Sequence, residues 1–305
     1  MRTKLQFSAV LLGSFCLILG AASMATAAAG GYVPGVEGVM AASVPPPGVH
    51  YRQYNVLYEA DTLTDKNGDE IDIGFDISVF ANVHRLVWIT NKKLLGADYG
   101  ASVIVPVTAI DLEIGAFGVK DSNIGVGDIL IEPFVLAWHG ERYDVALGLG
   151  VNLPTGDFDE NEPASVGSGC LSGLLTFGGT VYFDAAKSWS VSALTRSLAY
   201  GKQKDTDLKP GSEFFVDWGI GKQLPLSPSF LIRPGIAGYA YWQVGKDSGP
   251  GSNDDKGQVY AVGPEVNLFW LPPHLFQANM RFLWEFGAED EAEGTKAVLT
   301  LTKSF

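Results

Sequence analysis

From residue 50 to the end, apolar and polar residues alternate with a period of two, in runs separated by turn-forming residues. Tyr143, Val145, Leu147, Leu149, Val151 and Leu153 alternate with Asp144, Ala146, Gly148, Gly150 and Asn152. Phe276, Ala278, Met280, Phe282, Trp284 and Phe286 alternate with Gln277, Asn279, Arg281, Leu283 and Glu285. Runs at 213–220 and 230–237 read the same way. Successive side chains of a strand point to opposite faces, so each run predicts a strand with one greasy and one polar face. The runs place strands near 50–60, 71–90, 97–115, 124–138, 142–155, 170–183, 189–200, 210–222, 229–245, 257–270, 275–287 and 295–305, about twelve in all. Within 97–115 the apolar positions are odd at Val103, Val105 and Val107, then even at Ile110, Leu112 and Ile114. A bulge at 106–109 would reverse the parity, and so would a turn. Two extra turns upstream would raise the count to fourteen.

A greasy face can turn inward, as in a soluble barrel or sandwich, or outward to lipid. Three features favour lipid. The polar faces combine small residues with charge, as a crowded wet interior requires. Short turns at 139–142, 184–188, 224–229 and 271–274 alternate with longer hydrophilic loops at 156–169, 201–211, 246–256 and 287–294. In outer-membrane barrels the short turns are periplasmic and the long loops external. Trp138, Tyr143, Trp189, Trp270 and Phe276 gather at the short turns, where an interfacial girdle belongs. The expected fold is therefore all-β: a transmembrane antiparallel up-and-down β-barrel of about 12 strands, alternatively 14, over 49–305.

The first residues add the compartment. Met1-Arg2-Thr3-Lys4 precedes an apolar run, and Ala25-Thr26-Ala27 follows it. That is the pattern of a signal peptide over 1–27, cleaved on export through the inner membrane. Cleavage leaves 278 of the 305 residues and takes the net charge from −13 to −15, since it removes Arg2 and Lys4 and no acid. Cys16 leaves with it, so Cys170 has no partner for an internal disulfide. A strongly acidic chain without clustered Lys and Arg is not expected to bind nucleic acid. Residues 28–48 form a Pro- and Gly-rich lead in which Glu37 is the one charge. Pro45-Pro46-Pro47 bars it from a helix interior or a central strand. Close to the first strand, it is a candidate plug.

In Ala297, Leu299, Leu301 and Phe305 the last strand closes on an aromatic residue of the greasy face. This resembles the assembly signal read by the barrel-assembly machinery, with Phe305 as its terminal residue.

At this point the chain resembles the MetA-pathway of phenol degradation family of outer-membrane proteins. The stretches that carry the likeness run in order: Pro45-Pro46-Pro47-Gly48 with Tyr51 and Tyr54, Tyr58-Glu59-Ala60-Asp61 with Gly68, Leu95-Gly96-Ala97-Asp98-Tyr99-Gly100, and Gly125-Val126-Gly127-Asp128. Trp138, Leu153-Pro154-Thr155-Gly156, Gly211, Gly238-Tyr239, Gln243 with Asp247, and Gly263-Pro264 complete it. The resemblance implies an outer-membrane barrel associated with uptake of aromatic or hydrophobic compounds. It brings no catalytic residues.

Inward-facing positions carry the acids Asp72, Asp76, Asp128, Glu132, Asp144, Glu213, Asp217, Glu265 and Glu285 and the bases Arg233 and Arg281. Uncompensated charge in a dry interior is very costly, so these groups either pair and fill the lumen or line a hydrated path. The same faces carry Phe215, Tyr239, Tyr241 and Phe269, which either pack the interior or form a greasy ladder. Asp65-Lys66-Asn67-Gly68-Asp69-Glu70 lacks the spacing and terminal Glu of a calcium loop, so no metal site is expected. His50, His84, His139 and His274 are scattered, and no phosphate loop or nucleophile cluster accompanies them. Neither a cofactor nor an enzymatic activity is expected. The partners expected are outer-membrane lipid and small hydrophobic or aromatic solutes, in an outer-membrane channel that works by passive diffusion. The alternative is a structural or surface-binding barrel without transport.

Overall fold

A computed structural model describes residues 31–252 and 254–305. The signal peptide expected over 1–27 lies outside the described residues, as does the start of the lead. The described residues form fourteen strands: β1 (Gly48–Leu63), β2 (Phe75–Leu94), β3 (Ala97–Ile114), β4 (Val119–Val126), β5 (Ile129–His139), β6 (Tyr143–Leu153), β7 (Ser172–Tyr182), β8 (Trp189–Tyr200), β9 (Glu213–Lys222), β10 (Leu224–Ser227), β11 (Phe230–Gln243), β12 (Gln258–Trp270), β13 (Phe276–Glu289) and β14 (Ala292–Ser304).

Every pairing is antiparallel, and β1 pairs with β14, so the sheet closes on itself. Closure removes the free edges that lipid cannot solvate. The barrel has twelve staves rather than fourteen, because two staves are broken. β4 and β5 both pair with β3, β4 against 107–114 and β5 against 98–104. β9 and β10 likewise share β11.

Outward positions are apolar and exposed, among them Leu86, Leu149, Leu175, Phe177, Ile236, Met280 and Trp284. Phe214, Trp242, Tyr260 and Phe286 form a continuous aromatic band near the loop ends of β9, β11, β12 and β13, with successive ring centroids 6.1, 5.7 and 5.9 Å apart. Phe230, Trp270 and Phe276 form its counterpart at the turn ends, with centroids 5.2 and 5.4 Å apart. Two aromatic bands bracketing a greasy wall match the two interfaces of a bilayer.

The parity change expected within 97–115 has a different cause from a bulge or a turn. β3 keeps an unbroken register with β2 from Ile114 to Gly100, and even residues face inward throughout. Val103, Val105 and Val107 face lipid, whereas Ile110, Leu112 and Ile114 are buried. It is the interior that changes. At the loop end the inner wall packs Tyr58, Phe75, Ile77, Val79, Ile110 and Leu112 against Ala164 and Val166 of the β6–β7 loop. The same apolar wall corrects two site expectations. Phe75 and Ile77 take the inward positions of β2, so Asp76 points outward and is exposed, and Asp72 is exposed in the preceding loop. The loop expected at 287–294 is also shorter. β13 runs to Glu289 and β14 starts at Ala292, leaving a two-residue turn at Asp290 and Glu291.

Residues 31–47 lie inside the barrel, without regular structure and largely buried. Of the β6–β7 loop, Asp159, Glu160, Asn161 and Glu162 are exposed or partly so, while 164–168 fold back and are buried. A tag inserted at Glu160 should therefore be labelled on intact cells and one at Glu141, in the β5–β6 turn, should not. External labelling at Glu141 would reverse the assigned orientation.

Candidate channel lumen

The lumen is organised around the lead, and the lead is held by its backbone. The N–H groups of alternate residues donate to side chains of the wall. Gly35 and Glu37 donate to Asp217 at 3.0 and 3.1 Å, Val39 to Glu265 at 3.0 Å, and Ala41 to Ser192 at 3.2 Å. Carbonyls are met in return: Arg281 donates to Gly35 at 2.9 Å, Ser192 to Gly38 at 2.8 Å, and Lys296 to Pro34 at 3.0 Å. Tyr32 adds an O–H to Asp217. Such close approach needs bare backbone. A methyl on Gly219 of β9 would overlap the backbone of Gly38 and Val39, and one on Gly38 would overlap the Glu265 carboxylate.

Glu37, the single charge of the lead, enters a basic belt. Arg52 donates to both its oxygens, at 3.0 and 3.2 Å, and Tyr54 donates at 2.9 Å. Arg85 lies 3.8 Å away and pairs with Glu132 at 2.6 Å. Arg281 pairs with Glu265 at 3.3 Å. A planar guanidinium donating two parallel bonds is the strong form of such a pair.

On the loop side of the lead lies an apolar cavity lined by Tyr58, Ile77, Phe215, Tyr239, Tyr241 and Val259 above Val33 and Pro34. Phe215 and Tyr241 stack with centroids 5.0 Å apart. Its lining also includes two carboxylates, Glu285 and Glu291. Glu285 accepts from Tyr58 at 2.9 Å, from Gly294 N at 2.8 Å and from Tyr239, and Lys296 lies 3.8 Å off. On the turn side a wider vestibule of about 1280 Å³ carries polar and charged groups, including Asp144, Lys187, Arg233, Asn267 and Gln277.

The structure brings Asp217, Glu265 and Arg281 together at the lead, and Glu285, Tyr239 and Tyr241 at the apolar cavity. Glu213 is buried beside the cavity, accepting from Tyr200 at 2.5 Å and from Tyr241 at 3.4 Å. Asp144 and Arg233 belong to the vestibule. There Asp144 meets His139 at 3.0 Å and Tyr182 at 2.5 Å, and Arg233 lies 4.9 Å over Phe269. Asp128 instead holds the β6–β7 loop, accepting from Gly156 at 2.9 Å and Ser168 at 3.0 Å. Asp247 does the same between loops, accepting from Gly211 at 2.7 Å and Gln243 at 2.8 Å. Phe305 is exposed at the end of the chain. Sequence reasoning passed over Arg52, Arg85 and Arg196. Each sits at an inward position of its strand, so the parity that selected the acids would have found them.

Residues 60–301 match the family described as "Putative MetA-pathway of phenol degradation". The chain belongs to this family. The match begins in β1, so the lead precedes it. No curated protein sequence matches the chain. Among solved structures, the fold is similar to the COG4313 outer membrane channel from Pseudomonas putida F1, at 13% identity, covering 87% of this chain and 97% of that one, with a TM-score of 0.73. It is also similar to the transport unit of the autotransporter AIDA-I from Escherichia coli, at 11% identity, 93% and 97% coverage and a TM-score of 0.55. At these identities the likeness shows the fold, that of an outer-membrane β-barrel.

Asp217 satisfies two backbone donors of the lead, each costing about 1–3 kcal/mol if left buried and unpaired. Asp217→Ala should therefore release the lead. In the folded wild type a glutamyl endopeptidase should spare Glu37, which is buried; in the variant it should cleave there. Equal resistance of the two would show that Asp217 does not hold the segment.

Outside the strands, Asp290 of the β13–β14 turn has its carboxyl pushed up to about 6, by burial first and then by Asp255, Asp247 and Asp65. A carboxyl raised on folding contributes stability at low pH that is lost as pH rises through the folded value. Loop 244–257 should accordingly be cut faster by protease above pH ~7 than below pH ~5. Asp290→Asn should diminish that difference, and an undiminished difference would assign the effect elsewhere.

Proposed function

We propose that this protein is a passive channel for small aromatic or hydrophobic molecules across the outer membrane, with the lead as a hatch between an external greasy chamber and a wet periplasmic vestibule. The observation that carries the reading is the apolar cavity. Its lining is mainly aliphatic and aromatic, its Glu285 is held by internal partners, and it lies directly on Val33 and Pro34. Apolar pockets with few polar groups suit drug-sized apolar ligands. Family membership points the same way, and the P. putida protein of similar fold is described as an outer membrane channel. The protein is read as a channel and not an enzyme. The lead has no secondary structure of its own, and its hold is a set of separable side-chain contacts, which suits a movable element better than a structural filler.

Removing residues 29–44 should raise single-channel conductance in a planar bilayer. Replacing both Tyr239 and Tyr241 with Ala should slow aromatic uptake by cells at an unchanged level of folded protein. Identical conductance of the truncated and full-length barrels would overturn the hatch. Wild-type rates of aromatic uptake in cells lacking the protein would overturn transport and favour a structural barrel.

A further inference from the structure

Among the described residues, the belt around Glu37 contains one arginine whose side chain has neither a hydrogen bond nor an ion pair. Arg196 projects inward from β8 and is 6% exposed. Its Nε and Nη1 have no hydrogen-bond partner among the described residues. No ion pair joins it to a carboxylate within 4.0 Å, because the neighbouring acids are engaged elsewhere. Glu37 is held by Arg52, Glu132 by Arg85 and Glu265 by Arg281, while Asp217 accepts from the lead. What Arg196 does have is the face of Tyr32, 4.0 Å from its guanidinium carbon. Glu37, Asp217 and Glu132 balance its charge from beyond contact distance, but its buried N–H donors stay unfilled, and an unfilled buried donor is costly.

A second group points to the same place. Thr176 of β7 is the direct cross-strand partner of Arg196, is 7% exposed, and its Oγ1 is buried without a partner. Both side chains line a cavity below the belt, on the side of the vestibule. Arg196 also lines a second cavity above it, whose walls include Tyr54, Val83, Ile104 and Leu130. Arg196 therefore stands at the junction of a mainly apolar chamber, which Asp128 and Glu132 also line, and a more polar one.

We propose that Arg196 and Thr176 form a binding step for the carboxylate of a small aromatic acid, whose ring occupies the chamber walled by Val83, Ile104 and Leu130. The carboxylate takes N–H donors from Arg196 and the O–H of Thr176, and the ring stays on the apolar side. A neutral aromatic leaves both groups as they are, unpaired, so the step favours the acid over its neutral counterpart. For the ring, this rests on the transport reading; for the anion, it stands on the unpaired donors alone.

Isothermal titration of the full-length folded barrel in detergent tests it, with sodium benzoate, benzyl alcohol and sodium chloride as probes. Benzoate should bind about tenfold or more tightly than benzyl alcohol, as charge-assisted hydrogen bonds imply. Arg196→Met should erase that preference, and Thr176→Val should reduce it by a smaller factor. Equal binding of the two aromatics by the wild type would overturn the site. So would an undiminished preference in either variant that retains heat-modifiable folding. Chloride displacing benzoate at comparable affinity would overturn the assignment to an aromatic acid and leave a plain halide site. Because binding is read without transport, failure here leaves the channel reading standing, and cellular uptake of benzyl alcohol tests that reading separately.

Discussion

An irregular segment buried inside a closed barrel cannot satisfy its backbone from the sheet, because every strand already spends its N–H and C=O groups on its two neighbours. Side chains of the wall must supply the partners. That constraint accounts for two of the acids on the inner face. Asp217 and Glu265 act as acceptors for peptide N–H groups, doing for the lead what an adjacent strand would otherwise do. The donors at Gly35, Glu37, Val39 and Ala41 alternate along a segment that also turns on itself, with Ala41 N–H reaching Gly38 O at 2.9 Å and Ser43 N–H reaching Met40 O at 3.0 Å. Arg281, Ser192 and Lys296 supply the reciprocal donors to its carbonyls.

The same constraint fixes where the wall is thin. To bring carboxylates within hydrogen-bond distance, the lead must lie almost on the strands, and Gly38 together with Gly219, Gly221 and Gly235 of the wall allow it. Lying against one side, the segment leaves space on the other. The cavities are the volumes that remain once the lead is pinned to β9, β12 and β13. Charge then sorts itself by what the lead carries. Glu37 draws Arg52 to itself, and Arg85 is shared between Glu37 and Glu132.

Much of this was legible in the alternation of residues. The twelve staves, the side of the long loops and the inward acids from Asp128 onward follow from a period of two, which is a direct consequence of strand geometry. Two kinds of feature were not legible. The parity change at Val107 and Ile110 was read as a change in the strand, because local sequence cannot distinguish a strand that turns over from an interior that turns greasy. Asp72 and Asp76 were misplaced for the same reason: their neighbours Ile73, Phe75 and Ile77 look lipid-facing until the β6–β7 loop is seen to cover that wall. Gly219 was equally silent, since its role depends on a segment some 180 residues earlier in the chain. Arg52, Arg85 and Arg196 were readable by parity and were passed over beside the more numerous acids.

The order of environments along the barrel follows from these placements. From the loops inward, the barrel interior presents the apolar wall at the loop ends of β2 and β3, then the aromatic chamber, and only then the belt of charges at the lead. The vestibule beyond is wider and carries more polar and charged groups. A water-filled pore gains nothing from a greasy outer half, since apolar walls raise the cost of hydrated solutes. A route for apolar molecules does gain, because each ring is desolvated before it reaches the narrowest point and is rehydrated only after it. The charged belt then sets the terms of passage. Pairs such as Arg52–Glu37 and Arg85–Glu132 cost little while they remain closed and much if one partner is withdrawn. In the proposed hatch, moving the lead would withdraw Glu37 from Arg52, so the barrier to opening would be electrostatic, and an anion taking that place would lower it.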